Sequence, residues 1–200
     1  MSPKQHRGEV TADLLLDTAL RLYTESGEQG VTVSAVTKAS GVSLGSLYHH
    51  FGSLDGLLTA LTERWTHRLL GQLVTAVTAT DTGPDGIRAV VEAYVGFVRE
   101  HPGAALLIHS PYADERMMAR APELREAHAP SVSAFALWAQ PRIESGELAP
   151  LPLPLVETLV LGPVVGLARR WLAGIQDIDL DEAVRILPDR IWRSISADPD

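Results

Sequence analysis

No cysteine occurs in the 200 residues, which excludes a disulfide framework and any thiolate metal site. No segment reaches the roughly 18 unbroken apolar residues of a membrane span, and the start, MSPKQHRGEV, has no apolar stretch of signal-peptide type. The expectation is a soluble, cytoplasmic protein without a membrane partner. Also missing are an HExxH run, a Gly-rich phosphate loop and a nucleophile elbow. The seven histidines include no pair at i, i+4 beside a carboxylate; His49 and His50 are adjacent and would point about 100° apart on a helix. No metal site, cofactor or catalytic centre is therefore expected. Strand-period alternation, internal repeats and low-complexity tracts are absent too, so the chain reads as all-α.

Positive charge is scarce: 17 Lys and Arg stand against 25 Asp and Glu, a formal net charge of −8. The deficit is uneven. Residues 1–52 hold four basic residues (Lys4, Arg7, Arg21, Lys38) and five acids (Glu9, Asp13, Asp17, Glu25, Glu28), so most of the excess acid lies in 53–200. With 46% hydrophobic residues the chain can bury a substantial core, and its length suits two cooperating small domains.

The most informative stretch is Thr32 to Phe51, TVSAVTKASGVSLGSLYHHF, which contains no carboxylate. Thr32 is placed to cap a first short helix with Val33, Val36 and Ala39 at helical spacing. Gly41 tolerates the positive φ that stops such a helix, and Ser43 caps a second one at about 43–51. Leu47 and Phe51, four apart, face inward, leaving Ser43, Leu44, Gly45, Ser46, Tyr48, His49 and His50 outward. A helix-turn-helix offers its second helix to the DNA major groove in this way.

At these residues the chain resembles the TetR (tetracycline-repressor) family. The Thr-capped helix at Thr32, the turn Gly41-Val42-Ser43, the ending Tyr48-His49-His50-Phe51 and a further helix from Ser53 follow that family's signature, and the likeness covers roughly Val10 to Trp65. Leu54 departs from it, since members commonly carry Lys there. The resemblance implies a helix-turn-helix DNA-binding domain over residues 1–52, with a polar arm at 1–8, and a helical effector-binding and dimerisation domain over 53–200. It implies DNA contact by Thr32, Ser43, Leu44, Gly45, Ser46, Tyr48, His49 and Ser53. Even a head that is not basic overall can bind through a local surface on a dimer, with a modest salt dependence.

Elsewhere the pattern predicts a helix after Thr11 ending at Gly27, a long helix from Ser53 toward Val77, another over Gly86–Glu100 and a short one over Pro102–Ser110. A further helical stretch is expected from Asp114, one over Glu123–Glu144 that Pro130 and Pro141 should start, kink or stop, a connector at Gly146–Pro154, a helix over Leu155–Ala173 and a last one over Leu180–Ile195 capped by Asp179 or Asp181.

The last two helices resemble the family's dimerisation pair. Gly162 and Gly166 would allow close backbone approach, with Leu155, Leu159, Leu167, Ile191 and Ile195 at the buried centre. The resemblance further implies an effector pocket lined by Trp65, Tyr94, Phe97, Met117, Met118, Phe135 and Trp138, with His109 and Arg169, beside Tyr112 and His128, as polar groups. The reading is a homodimeric transcriptional regulator, a repressor released from a palindromic double-stranded DNA operator by a small apolar effector. The alternatives are an all-helical enzyme, which lacks any catalytic motif, and a dimeric interaction module without DNA binding.

Overall fold

A computed structural model of the protein describes residues 3–119, 121–175 and 178–197. Among them it contains ten helices and no strand: α1 (Pro3–Gly30), α2 (Val33–Ser40), α3 (Leu44–Phe51), α4 (Leu54–Thr78), α5 (Gly83–Glu100), α6 (Pro102–Ile108), α7 (Pro111–Ala119), α8 (Ala121–Glu144), α9 (Leu153–Leu172) and α10 (Leu180–Ile195). The all-α expectation holds. Two compact units form, Met1–Thr66 with Gly103–Ala119 and His67–Pro102 with Arg120–Asp200. The division drawn at residue 52 from sequence differs from this grouping: the first unit runs on into α4 and recruits α6 and α7 from fifty residues downstream.

In the first unit α1, α2 and α3 pack on one another. Leu15, Leu16, Ala19, Val36, Leu47, Leu57 and Leu61 form the core, each buried leucine contributing about 2 kcal/mol. The expected arm at 1–8 is instead helical from Pro3. Thr11 is the reason the boundary was misplaced: its hydroxyl donates to the Arg7 carbonyl at 2.9 Å, so it lies inside the helix and does not cap it. Gly27 does break α1, with φ +66. On α4, Arg64 ties back to α1 through Asp13 at 3.3 Å and through Asp17.

Ser110 and Pro111 start α7 three residues before the expected Asp114. The Ser110 hydroxyl accepts from the Ala113 N–H at 3.1 Å, and proline is preset for a helix's first turn. Gly103 on α6 lies so close to Thr24 of α1 that a Cβ there would overlap the threonine hydroxyl.

In the second unit α5, α9 and α10 pack against one another. Ile87, Val90, Val91, Tyr94, Phe97 and Val98 of α5 meet Val156, Val160, Val164 and Ala168, spaced by four along α9, and Leu180, Ile191 and Ile195 of α10. Helix α5 begins earlier than expected because Thr82 caps it: its hydroxyl accepts from the Asp85 N–H at 3.3 Å. Asp179 caps α10 as predicted, accepting from the N–H groups of Asp181 at 2.8 Å and Glu182 at 3.3 Å.

Helix α8 keeps both Pro130 and Pro141 inside it, so neither starts or stops the helix, two of the effects the sequence allowed beside a kink. Arg142 anchors its end. The guanidinium donates to the carbonyls of Trp138 at 2.7 Å, Thr80 at 3.1 Å and Asp81 at 2.8 Å, and lies 4.3 Å from the Trp138 ring centroid. Leu153 and Pro154, expected in the connector, are already in α9.

Candidate nucleic-acid interface

Local hydrogen bonds build the two short helices of the first unit. The Thr32 hydroxyl accepts from the Ala35 N–H at 3.1 Å, and Ser43 does the same for Ser46 at 3.2 Å. Gly41 closes α2 in the left-handed region at φ +69, its N–H bonded to Thr37 O at 3.0 Å. The Ser40 hydroxyl holds the turn by accepting from Val42 N–H at 3.2 Å, a contact that the sequence reading did not assign.

Leu47 is wholly buried and fixes how α3 is rotated. At about 100° per residue, Leu44, Tyr48, Gly45 and His49 then form one outward stripe. All four are exposed, Leu44 at 52% and Tyr48 at 46%. Ser46 and His50, also expected to face outward, are half-buried, and the His50 ring lies 3.7 Å from where a Cβ on Gly8 would stand. Of the pair in α2 expected to face inward with Val36, Val33 is half-buried and Ala39 is exposed. Lys38, at the end of α2, is exposed and is the one lysine between Thr32 and Phe51.

Ser53 begins α4, its hydroxyl accepting from the Gly56 N–H at 2.9 Å. Leu54 lines an open crevice of about 610 Å³ with Leu58, Val31 and the end of α1 at Ser26 to Gln29. An apolar side chain suits that wall.

Tyr112 is a residue whose place in this unit sequence reasoning did not foresee. Its hydroxyl donates toward Asp55, at 3.1 Å from Oδ1 and 3.2 Å from the backbone oxygen, and is 3.5 Å from the Thr59 hydroxyl. Burial raises the phenol pKa above its ordinary value, the Thr59 hydrogen bond opposes that and the Glu28 charge adds to it. The Ser-Pro pair just before it was the available signal for the helix start.

The residues expected to line an effector pocket fall in both units. Trp65 and His109 belong to the first, where Trp65 is buried; Met118 is 81% exposed, and the side chain of Met117 lies outside those described. Tyr94, Phe97, Phe135, Trp138 and Arg169 belong to the second. There Tyr94, Phe97 and Trp138 are buried, Phe135 is half-buried and stacks on Trp138 at 5.6 Å, and Arg169 is exposed. Burial lifts the Tyr94 phenol above its usual range, against the pull of the Arg169 charge. Trp138 Nε1 is buried with no hydrogen-bond partner among the described residues.

Of the expected dimer residues, Leu155, Leu159, Gly162 and Gly166 share the side of α9 opposite Val156, Val160, Val164 and Ala168, and a Cβ on either glycine would meet nothing within 4 Å. Leu167 is half-buried toward the inner side. Ile191 and Ile195 are 2% and 0% exposed, because α10 turns them onto α5 and α9 of the same chain. They are core residues here, which corrects their placement on a surface for a mate. No helix among the described residues is long and apolar enough to cross a membrane.

Comparison with known proteins agrees with this geometry. Residues 15–61 match the profile of bacterial regulatory proteins of the tetR family, a span containing α2 and α3 entire. An uncharacterized HTH-type transcriptional regulator of Mycobacterium tuberculosis is 29% identical over 99 residues, 50% of this chain and 49% of that one. The HTH-type transcriptional activator FasR of Mycolicibacterium smegmatis is 26% identical over 189 residues, covering 92% and 83% of the two chains. The chain spans about half the length of the first relatives it matches. In fold it is similar to the transcriptional regulator FadR of Bacillus subtilis, solved in complex with stearoyl-CoA, at a TM-score of 0.72 and 16% identity over 89% of this chain and 96% of that one. The capped α2–turn–α3 segment lies inside the matched residues, so it is this part of the chain that is similar to bacterial regulatory proteins of the tetR family.

Proposed function

We propose that the protein is a cytoplasmic, homodimeric, DNA-binding transcriptional regulator, not an enzyme, and that its first unit reads a palindromic operator through α3. The observation that carries this reading is the outward stripe Leu44, Tyr48, Gly45 and His49 on a capped helix in a segment free of carboxylates. Ser43, Ser46, Thr32 and Ser53 supply hydroxyls for phosphate oxygens, and Lys38 adds the nearest positive charge. Two such heads on a two-fold dimer meet major grooves about 34 to 36 Å apart.

The dimer surface is the outer side of α9, with Leu155, Leu159, Gly162 and Gly166 at its centre. The effector is a small apolar molecule that enters among Tyr94, Phe97, Phe135 and Trp138 of the second unit, where the unpartnered Trp138 Nε1 offers one buried donor. Support for an apolar group on the ligand comes from FadR of a related fold, whose bound stearoyl-CoA carries a long apolar acyl chain on a charged CoA. Helix α4 belongs to both units, residues 54–66 to the first and 67–78 to the second, so it is the element through which a ligand alters half-site spacing. The protein represses, and the effector releases it.

The test is selection of bound sequences from a random duplex pool at two salt concentrations, followed by a reporter that carries the selected site. Enrichment of a palindrome with half-sites one turn apart, and reporter expression that rises when the protein is removed, is the expected result. Reporter expression that falls on removal reverses the sign to activation, as in the relative FasR. Unselected binding at both salts defeats the assignment.

A further inference from the structure

The outward stripe of α3 lacks the side chains that usually read base edges. Arg and Lys bind guanine O6 and N7, and Asn and Gln bind adenine N6 and N7, but α3 is Leu-Gly-Ser-Leu-Tyr-His-His-Phe and has none of the four. What it has at its first position is an apolar one. Leu44 follows the cap Ser43, is 52% exposed, and shares its side of the helix with Tyr48 one turn on. The first turn of a recognition helix is the part that reaches base edges. In the major groove the apolar group on those edges is the 5-methyl of thymine.

Gly45 adds a second, independent observation. It stands in the first turn of a helix, and alanine is favoured over glycine in helices by up to about 1 kcal/mol at interior positions. Its φ is not positive, and a Cβ built on it meets no atom within 4 Å, so neither backbone conformation nor packing inside this chain calls for glycine. Space left open on the outward side next to Leu44 lets a base pair come close to the helix backbone.

We infer that Leu44 is a specificity-determining residue that packs on the 5-methyl group of a thymine in each operator half-site, and that Gly45 provides the clearance for that approach. This rests on the DNA-binding reading above and names the base chemistry it uses. With no bidentate donor on α3, the methyl contact is a principal source of discrimination at the position under Leu44.

The experiment starts from the selected operator and the full-length protein. Each thymine of the half-site is replaced in turn by deoxyuracil, which removes the methyl and leaves the Watson–Crick and remaining groove pattern unchanged. Affinity is measured for the wild type and for Leu44→Ala, an exposed position whose substitution leaves the core intact; circular dichroism checks the fold. One thymine is expected at which uracil weakens wild-type binding about fourfold per half-site, the worth of one buried methyl, while Leu44→Ala binds both duplexes equally. Wild-type binding indifferent to uracil at every thymine overturns the proposal, as does a uracil effect that persists undiminished in Leu44→Ala. Should no operator be selected at all, the DNA-binding reading itself falls and takes this inference with it, an outcome separate from an operator bound alike with thymine and uracil.

Discussion

The Tyr112 hydroxyl donates to Asp55 from 57 residues away, at 3.1 Å from the carboxylate Oδ1 and 3.2 Å from the backbone oxygen. Asp55 is in the first turn of α4, four residues after the end of α3, so α7 bears directly on the helix that follows α3. Tyr112→Phe keeps the ring and removes the hydroxyl, and is expected to cost about 1 kcal/mol in chemical denaturation. The pH dependence follows from the raised phenol pKa. Below the ordinary tyrosine value the phenol is protonated in both states and its contribution is complete; as pH climbs past that value the unfolded chain ionises first and stability falls until the folded phenol ionises too. Tyr112→Phe should lack this alkaline component, and an identical alkaline decline in the two proteins would refute the role given to Tyr112.

Glu157 on α9 is a carboxylate whose pKa is raised by burial. Its protonated form is favoured by folding, so its contribution is complete below the ordinary carboxylate pKa and is lost as pH rises through the raised value. Glu157→Gln should therefore be more stable than the wild type at pH 7 and show a flatter profile between pH 4 and 7. Thermal melts across that range decide it, and a variant less stable at pH 7 would contradict the burial argument.

Arg142 holds two carbonyls of the α4–α5 connection, Thr80 and Asp81, while its side chain is 13% exposed and its Nε lies 3.7 Å from Glu147. Glu147 in turn accepts from the Gly83 N–H at 2.6 Å. Replacing Arg142 with alanine strands these acceptors and uncovers the Trp138 ring, for an expected loss of about 3 kcal/mol. Lysine keeps the charge without the planar fork, so Arg142→Lys should recover less than half of that. Full recovery of wild-type stability by Arg142→Lys in urea would show that charge alone matters.

Gly45→Ala separates stability from binding. The added methyl stands in open space and favours helix, so the melting temperature should stay level or rise. Operator affinity should nonetheless fall at least tenfold, by gel shift or fluorescence anisotropy. Undiminished affinity would mean that DNA does not come close to this turn.

Gly166→Glu tests the outer side of α9. Nothing in the protomer meets a Cβ there, so the chain should fold normally. On the proposed two-fold surface the change would set two new charges in an apolar contact, and sedimentation velocity should report a dimer for the wild type and a monomer for the variant. A dimer of unchanged affinity would move the interface elsewhere.

What was legible in the sequence was short-range. The caps Thr32 to Ala35, Ser43 to Ser46 and Asp179 to Asp181, and the stop at Gly41, each join residues within four positions, and the stripe of α3 follows from Leu47 by helical periodicity. A hydroxyl next to its own backbone N–H needs no knowledge of the rest of the chain, and this is why the helix-turn-helix segment and its resemblance to the family could be read directly. Tertiary structure decided everything that depends on distant partners. Helices α6 and α7 joined the first unit through Gly103 against Thr24 and Tyr112 against Asp55. Pro130 and Pro141 stayed inside α8, whose end is held by Arg142 on carbonyls 61 and 62 residues away. Ile191 and Ile195 turned inward because α5 and α9 lie beneath α10, a fact that an apolar stripe alone leaves open, since the same stripe suits a core or a mate.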